Sequence, residues 1–289
     1  VSAHTHDDID WAARLSAMRR LDALEQDAIT AVASRLTAEL PADAVVVDVG
    51  SGSGGMSAAL AEALRGRGGT LVLVDAVDEL LEAARDAAVE RGGARVRVDT
   101  VIADAGSDDL GTLVPPADLL WASAVVHHLP DQQAAVDRLV GVLRPGGLLA
   151  VAEGGLDARC LPWDLGVGDP GLELRLNAAR DAWFERLRAT MPDAVRMPYG
   201  WTSALRRAGL SDVHSFSYLL DHPAPAGVAV RDFVVERITW LGETVGEWLS
   251  EADKEAVRRL LDPGSADYLG ARDDLYLLNA RTVHHGRRS

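Results

Sequence analysis

The alternation of apolar strands with amphipathic helices along this chain predicts an α/β fold built on a mostly parallel sheet. Two observations carry that prediction. A β-branched run, Val45-Val46-Val47, leads directly into the glycine-rich turn Gly50-Ser51-Gly52-Ser53-Gly54-Gly55, and a helical pattern from Met56 to Leu64 follows it. Strand and helix patterns then repeat with short connections as far as residue 152, which implies right-handed βαβ units. In such a sheet ligands bind outside the carboxyl ends of the strands.

The elements follow in order. Residues 9 to 40 place Ile9, Leu15, Met18, Leu21, Leu24, Ile29, Val32, Leu36 and Leu40 at helical spacing, so one or two amphipathic helices precede Pro41. Strands are predicted from Val45 to Val49, from Thr70 to Asp75, from Val96 to Ala103, from Ala117 to Ala122 and from Leu148 to Ala152. Helices are predicted from Asp78 to Glu90 and from Asp131 to Leu143, the second capped by Asp131, with the turn Pro145-Gly146-Gly147 after it. From residue 156 the rhythm breaks. An irregular stretch holding Pro162 and Pro170 leads to a helix from Leu172 to Met191, a strand from Asp212 to Leu220, helical spacing through Val230, Val234, Ile238, Leu241, Val245 and Trp248, and a last strand from Leu275 to Val283. The resulting organisation is a helical cap (1–41), a core (42–155), a helical lid insertion (156–200), a return to the core (201–223), a second helical insertion (224–264) and a closing strand with its tail (265–289).

Composition narrows the function. Twenty-nine basic against 44 acidic residues give a net charge of −15, a poor footprint for a polyanion, so nucleic acid is disfavoured. No apolar run approaches the about 20 residues that cross a bilayer, and the first eight residues lack the basic and apolar regions of a secretory signal. A cytoplasmic enzyme is the expectation. Cys160 is the single cysteine, which excludes an internal disulfide and a multi-cysteine metal site. No metal triad emerges from the histidine spacing, and the helical additions offer apolar surface either for a homodimer or for burial within the lid itself.

On its glycines alone the turn is ambiguous. Gly50, Gly52 and Gly55 satisfy the dinucleotide pattern G-x-G-x-x-G, while Gly50, Gly52 and Gly54 satisfy the D-x-G-x-G-x-G pattern of S-adenosylmethionine (SAM) methyltransferases. Asp75 stands where either cofactor needs a carboxylate for its ribose. Asp48 separates the two. A carboxylate two residues before the first glycine would repel a pyrophosphate, whereas SAM offers an ammonium and a sulfonium there.

With VVVDVGSGSGG, LVLVDAVDELLEAAR, VIADAG, ADLLWASAVVHHLPD and LRPGGLLAVAEGG in order, the chain resembles the class I SAM-dependent methyltransferase family, in particular its bacterial small-molecule branch. The resemblance covers roughly residues 42–155, with weaker support from 200–220 and 273–285. It implies a Rossmann-like seven-stranded sheet flanked by helices, six strands parallel and the last antiparallel, with the helical additions as a lid. It also implies that Asp48, Gly50, Ser51, Gly52 and Gly54 line the methionine part of SAM, that Asp75 and Ala76 hold the ribose side, that Asp104 faces the adenine amino group with Ala105 supplying a backbone amide, and that Trp121 and Ala122 offer backbone carbonyls. Asp104 is equally at home starting a turn, and Asp118, at the far end of its strand, reads as structural.

Methyl transfer to a hydroxyl or protonated amine needs a base within hydrogen-bond reach, and histidine suits neutral pH. His127 and His128 follow the fourth strand at the ligand edge, and adjacent residues cannot both point inward; His127 is favoured for substrate contact. Glu153 ends the fifth strand at the same edge, either as a proton acceptor or as a solvated strand-end carboxylate. Trp163, Asp164, Tyr199, Trp201 and Trp240 come from the expected lid segments, and His284 and His285 are placed on the exposed end of the last strand. The function expected is methyl transfer from SAM to an O, N or C atom of a small-molecule metabolite. An NAD-dependent oxidoreductase and a non-catalytic SAM-binding regulator are the alternatives.

Overall fold

A computed structural model describes residues 14–289. The amino-terminal part of the expected cap, Ile9 included, lies outside the described residues. Two compact units emerge among the described residues, one of 14–155 with Pro192–Tyr218 and Arg281–Ser289, the other of Leu156–Met191 with Leu219–Ala280.

The first unit begins with helix α1 (Leu15–Thr37), which buries Glu25, Ile29, Val32, Ala33 and Leu36, a stripe at spacings of three and four. Strand β1 (Ala44–Val49) runs into the glycine turn and α2 (Gly55–Leu64); β2 (Gly69–Asp75), α3 (Asp78–Gly92) and β3 (Val96–Ile102) complete the first half of the sheet. A single-turn α4 (Leu110–Leu113), β4 (Ala117–Ser123), a 3-10 turn (Val126–His128), α5 (Gln132–Val142) and β5 (Leu143–Arg159) follow. Asp131 caps α5 as expected, its carboxylate accepting the Ala134 N–H at 3.0 Å. The chain then adds α6 (Leu172–Thr190), α7 (Trp201–Arg207), β6 (Leu210–His222), α8 (Val228–Val245), α9 (Glu251–Leu261) and β7 (Leu277–Arg288).

The sheet has seven strands in the order β3-β2-β1-β4-β5-β7-β6, six parallel and β7 antiparallel. Val47 pairs with Val72 on one side and Leu120 on the other. Alternate residues feed two cores. Val47, Val49, Val72, Val74, Leu120, Leu149 and Val151 pack against Val136, Leu139 and Leu205 of α5 and α7. Val46, Leu71, Leu73, Leu119, Trp121 and Ala150 face the other way, against α1, α2 and α3. Because both faces are covered, the strands are near-continuous apolar runs. Asp118 is structural, as read: it accepts the Val45 N–H at 2.8 Å and pairs with Arg144.

Strand β5 differs from its expectation, since Pro145-Gly146-Gly147 lies inside it. Ala117 pairs with Leu143 and Leu119 with Leu148, so a bulge absorbs the extra residues and the ladder continues. The last strand also runs beyond Val283, to Arg288. His284 and His285 therefore lie within β7 and are partly buried, which corrects their placement on an exposed end.

In the second unit α6 and α8 form a helix pair in which Trp183 meets Trp240 edge-on at 6.3 Å, and Arg175 of α6 holds Asp253 of α9 at 2.7 Å. Buried Glu173 accepts the Cys160 N–H at 2.8 Å. Trp163 is 65% exposed and lies against Gly171. Tyr199 and Trp201 belong to the sheet unit instead, where the Tyr199 hydroxyl donates to Gln133 at 3.0 Å. No helix among the described residues is long and apolar enough to cross a membrane.

Candidate active site

The parallel register brings the ends of β1, β2 and β4 to one edge, Val49 beside Val74 and Ala122. The glycine turn is fastened there: Gly50 and Ser51 both donate to the Val74 carbonyl, at 2.7 and 3.1 Å. Gly50 has φ +70°, and a Cβ on it would lie 2.3 Å from a methyl of Val125. Only glycine allows both the left-handed backbone and that approach. The Gly52 N–H, at φ +54°, donates to Asp75 Oδ2 at 2.9 Å, while Asp75 Oδ1 receives the Val77 N–H at 3.0 Å. Burial pushes the Asp75 carboxyl above its ordinary range, against the pull of these N–H groups. The Ser51 hydroxyl is buried in the same turn with no hydrogen-bond partner among the described residues.

Asp48 points into the helix layer and takes the Ser57 hydroxyl at 2.6 Å. Ser57 belongs to α2, so this bond ties the end of β1 to the helix that follows the glycine turn. Burial pushes its carboxyl up to about 7, with the Asp75 and Asp22 charges adding to the rise and the Ser57 bond opposing it. Asp22 was not singled out in the sequence. From α1 it receives the Ser53 hydroxyl at 2.5 Å and the Gly55 N–H, so it caps the start of α2 in trans. A dinucleotide fold leaves that helix start open for pyrophosphate. Here a carboxylate fills it. No local pattern reveals Asp22, which reads as one more polar residue on an amphipathic helix.

Asp104 is exposed and closes its own turn, taking Gly106 N–H at 2.7 Å and Ser107 Oγ–H at 3.1 Å. Ala105 is held from α5, whose Arg138 donates to the Ala105 and Gly106 carbonyls. Ala76 leaves β2 beside Asp75. Trp121 and Ala122 lie at the end of β4 with their side chains in opposite cores.

Past β4 the backbone turns sharply at Ala124, a non-glycine residue at φ 55°. The turn aims successive N–H groups at Glu153 Oε1, from Val125 at 3.2 Å, Val126 at 2.8 Å and His127 at 3.4 Å. Glu153 Oε2 meets His127 Nδ1 at 2.5 Å. Glu153 is 2% exposed, which corrects its reading as a solvated strand-end carboxylate. His128 stacks on His127 with ring centroids 3.9 Å apart. From β7, His284 Nε2 lies 3.2 Å from the Glu153 carbonyl oxygen, and burial lowers the His284 pKa. Among the described residues no three His, Cys, Asp or Glu side chains converge as metal ligands.

The methyltransferase domain family matches residues 47–149, the stretch that holds the glycine turn, Asp75 and the His127 turn. That family is described as a methyltransferase domain, and the match covers about a third of this chain. Trans-aconitate 2-methyltransferase of Azoarcus sp. (strain BH72) is 37% identical over 129 residues, 43% of this chain and 46% of that protein. Ubiquinone biosynthesis O-methyltransferase of Xylella fastidiosa (strain M23) is 36% identical over 107 residues, 37% of this chain and 40% of that protein. The chain thus spans about half or less of the length of these two curated relatives. The YcgJ protein of Bacillus subtilis superposes with a TM-score of 0.50 at 18% identity, covering 91% of this chain and 99% of that one, a likeness of fold.

Proposed function

We propose that this protein transfers a methyl group from SAM to a small molecule. One observation carries the reading: the glycine turn is ringed by Asp22, Asp48 and Asp75, a carboxylate-rich setting that suits a cationic cofactor and opposes a pyrophosphate. The fit extends to the buried, unpartnered Ser51 hydroxyl and to Asp75, which accepts backbone N–H groups from Gly52, Ala76 and Val77 and has lone-pair capacity left for a ribose diol.

In this reading Gly50, Ser51, Gly52 and Gly54 present backbone to the methionine part of the cofactor, and Asp48 acts on it through field and through Ser57. Asp75 and Ala76 take the ribose, Asp104 and Ala105 the adenine, and the backbone of Trp121 and Ala122 borders the methionine part. SAM, when bound, supplies an electrophilic methyl group on a sulfonium. The protein aligns the acceptor with it, and positioning supplies much of the rate. Similarity to proteins named trans-aconitate 2-methyltransferase and ubiquinone biosynthesis O-methyltransferase supports a small-molecule acceptor.

Titration calorimetry tests the cofactor. SAM and S-adenosylhomocysteine are expected to bind, with Asp75→Ala weakening both about 10-fold or more and NAD giving no heat. Binding of NAD in place of SAM overturns the reading.

A further inference from the structure

We infer that the second unit holds a binding site for a small carboxylate, built from the Arg237 guanidinium of α8 and the Asn177 side-chain amide of α6. The site goes beyond the methyl-transfer reading and does not rest on it. Asn177 Oδ1 accepts from Arg237 Nη2 at 2.8 Å. A guanidinium only donates, so this bond fixes which end of the amide meets Arg237 and leaves Nδ2 on the other side. Asn177 is 6% exposed, and its Nδ2 is buried with no hydrogen-bond partner among the described residues. Arg237 Nε is buried and unpartnered in the same way. Nη2 also makes a longer bond, 3.4 Å, to the Ala158 carbonyl.

Arginines that brace the fold look different in this same unit. Arg175 of α6 spans both oxygens of Asp253 and meets the Pro170 and Asp169 carbonyls, and Arg180 takes Asp157 and Asp181. Arg237 has no carboxylate partner among the described residues. The carboxyl groups that feel its charge are committed elsewhere: Glu173 accepts the Cys160 and Leu161 N–H groups, and Asp157 pairs with Arg180. Glu173 and Asn177 stand one turn apart on α6 and are both buried, a polar row where a helix pair ordinarily buries apolar side chains. Buried donors without acceptors are costly, and these converge from two helices on a single charge.

The unpaired groups define the ligand. All of them are donors and an arginine side chain is always charged, so they fit an anion with oxygen acceptors. One guanidinium balances one negative charge, and the Glu173 and Asp157 carboxyl groups oppose a second, which favours a carboxylate over a phosphate dianion. A planar carboxylate also matches the guanidinium fork, and an amide N–H adds a further donor. Two sources offer that group: a carboxylate carried by the methyl acceptor, or a separate carboxylic acid that binds as an effector.

Calorimetry of the whole chain with acetate, succinate, benzoate and lactate at constant ionic strength is expected to give saturable binding of at least one acid. Arg237→Gln should weaken it about 10-fold or more, and Asn177→Ala by a smaller factor. In the wild type, the ¹⁵Nε–H signal of Arg237, assigned through its own side-chain carbons, is expected to shift and to exchange more slowly with water as the acid is added, a readout that holds even if a variant fails to fold. Incubation with SAM separates the two sources: methylation of the bound acid marks the acceptor, and binding without methylation marks an effector, and either supports the site. Silence of all four acids, an unmoved Nε–H signal, or affinity unchanged in a folded Arg237→Gln overturns the inference. Inorganic phosphate binding as tightly as the acids would show an adventitious ion only and overturns it too.

Discussion

Asp48 and Glu153 are both 2% exposed at the carboxyl edge of one sheet, yet they are built in opposite ways. Asp48 receives a single hydroxyl, from Ser57, and burial lifts its carboxyl to about 7. Glu153 receives three backbone N–H groups and an imidazole. The number of donors decides what a buried carboxylate can do. One donor leaves a group poised between charge states beside the glycine turn, and three backbone N–H groups hold a carboxyl group in place against a histidine ring.

The largest expected effect breaks the saturated side. Glu153→Ala strips the acceptor from three N–H groups at the head of the His127 turn, and should cost roughly 3 to 5 kcal/mol in urea unfolding. A loss below about 1 kcal/mol would show that water replaces the carboxylate and that the contrast is false.

How much of this could be read from the chain is uneven. The glycine turn, the strand order along the chain and the placement of His127 and Glu153 at one edge follow from local patterns. Their pairing does not, because 26 positions separate them and only the adjacency of β4 and β5 brings them together. Ser57 as the partner of Asp48 and Asp22 as the cap of α2 were hidden for the same reason, since both contacts depend on how helices pack over the turn. The bulge in β5 escaped because Pro-Gly-Gly reads as a chain break, whereas the sheet absorbs it.

The unsaturated side gives the next effect, and its sign can be worked out. The folded pKa of Asp48 is raised from 3.8 to about 7, so its contribution to stability is fully present below 3.8 and is lost as pH rises towards 7. Asp48→Asn keeps an acceptor for Ser57 and never ionises. It should be more stable than wild type at pH 8 by roughly 2 to 4 kcal/mol, with the gap closing near pH 4 in denaturant midpoints. An unchanged gap across that range would mean that Asp48 ionises in the fold at no cost.

The smallest effect sharpens the middle case. Asp22 has two donors and caps α2, so Asp22→Ala should cost about 1 to 2 kcal/mol in the same assay. It should also open the helix start to inorganic phosphate, detectable as a rise in melting temperature with added phosphate that the wild type lacks.

Gly50 carries a last consequence. The space where its Cβ would be is taken by Val125, two residues before His127, so the turn proposed to hold the methyl donor and the turn that carries the imidazole share one surface. Neither can be redesigned alone. A side chain added at 50 displaces the 125–127 backbone from Glu153, and a larger residue at 125 unseats the glycine turn. The two halves of the site must change together or not at all, which makes this contact the place where paired substitutions belong.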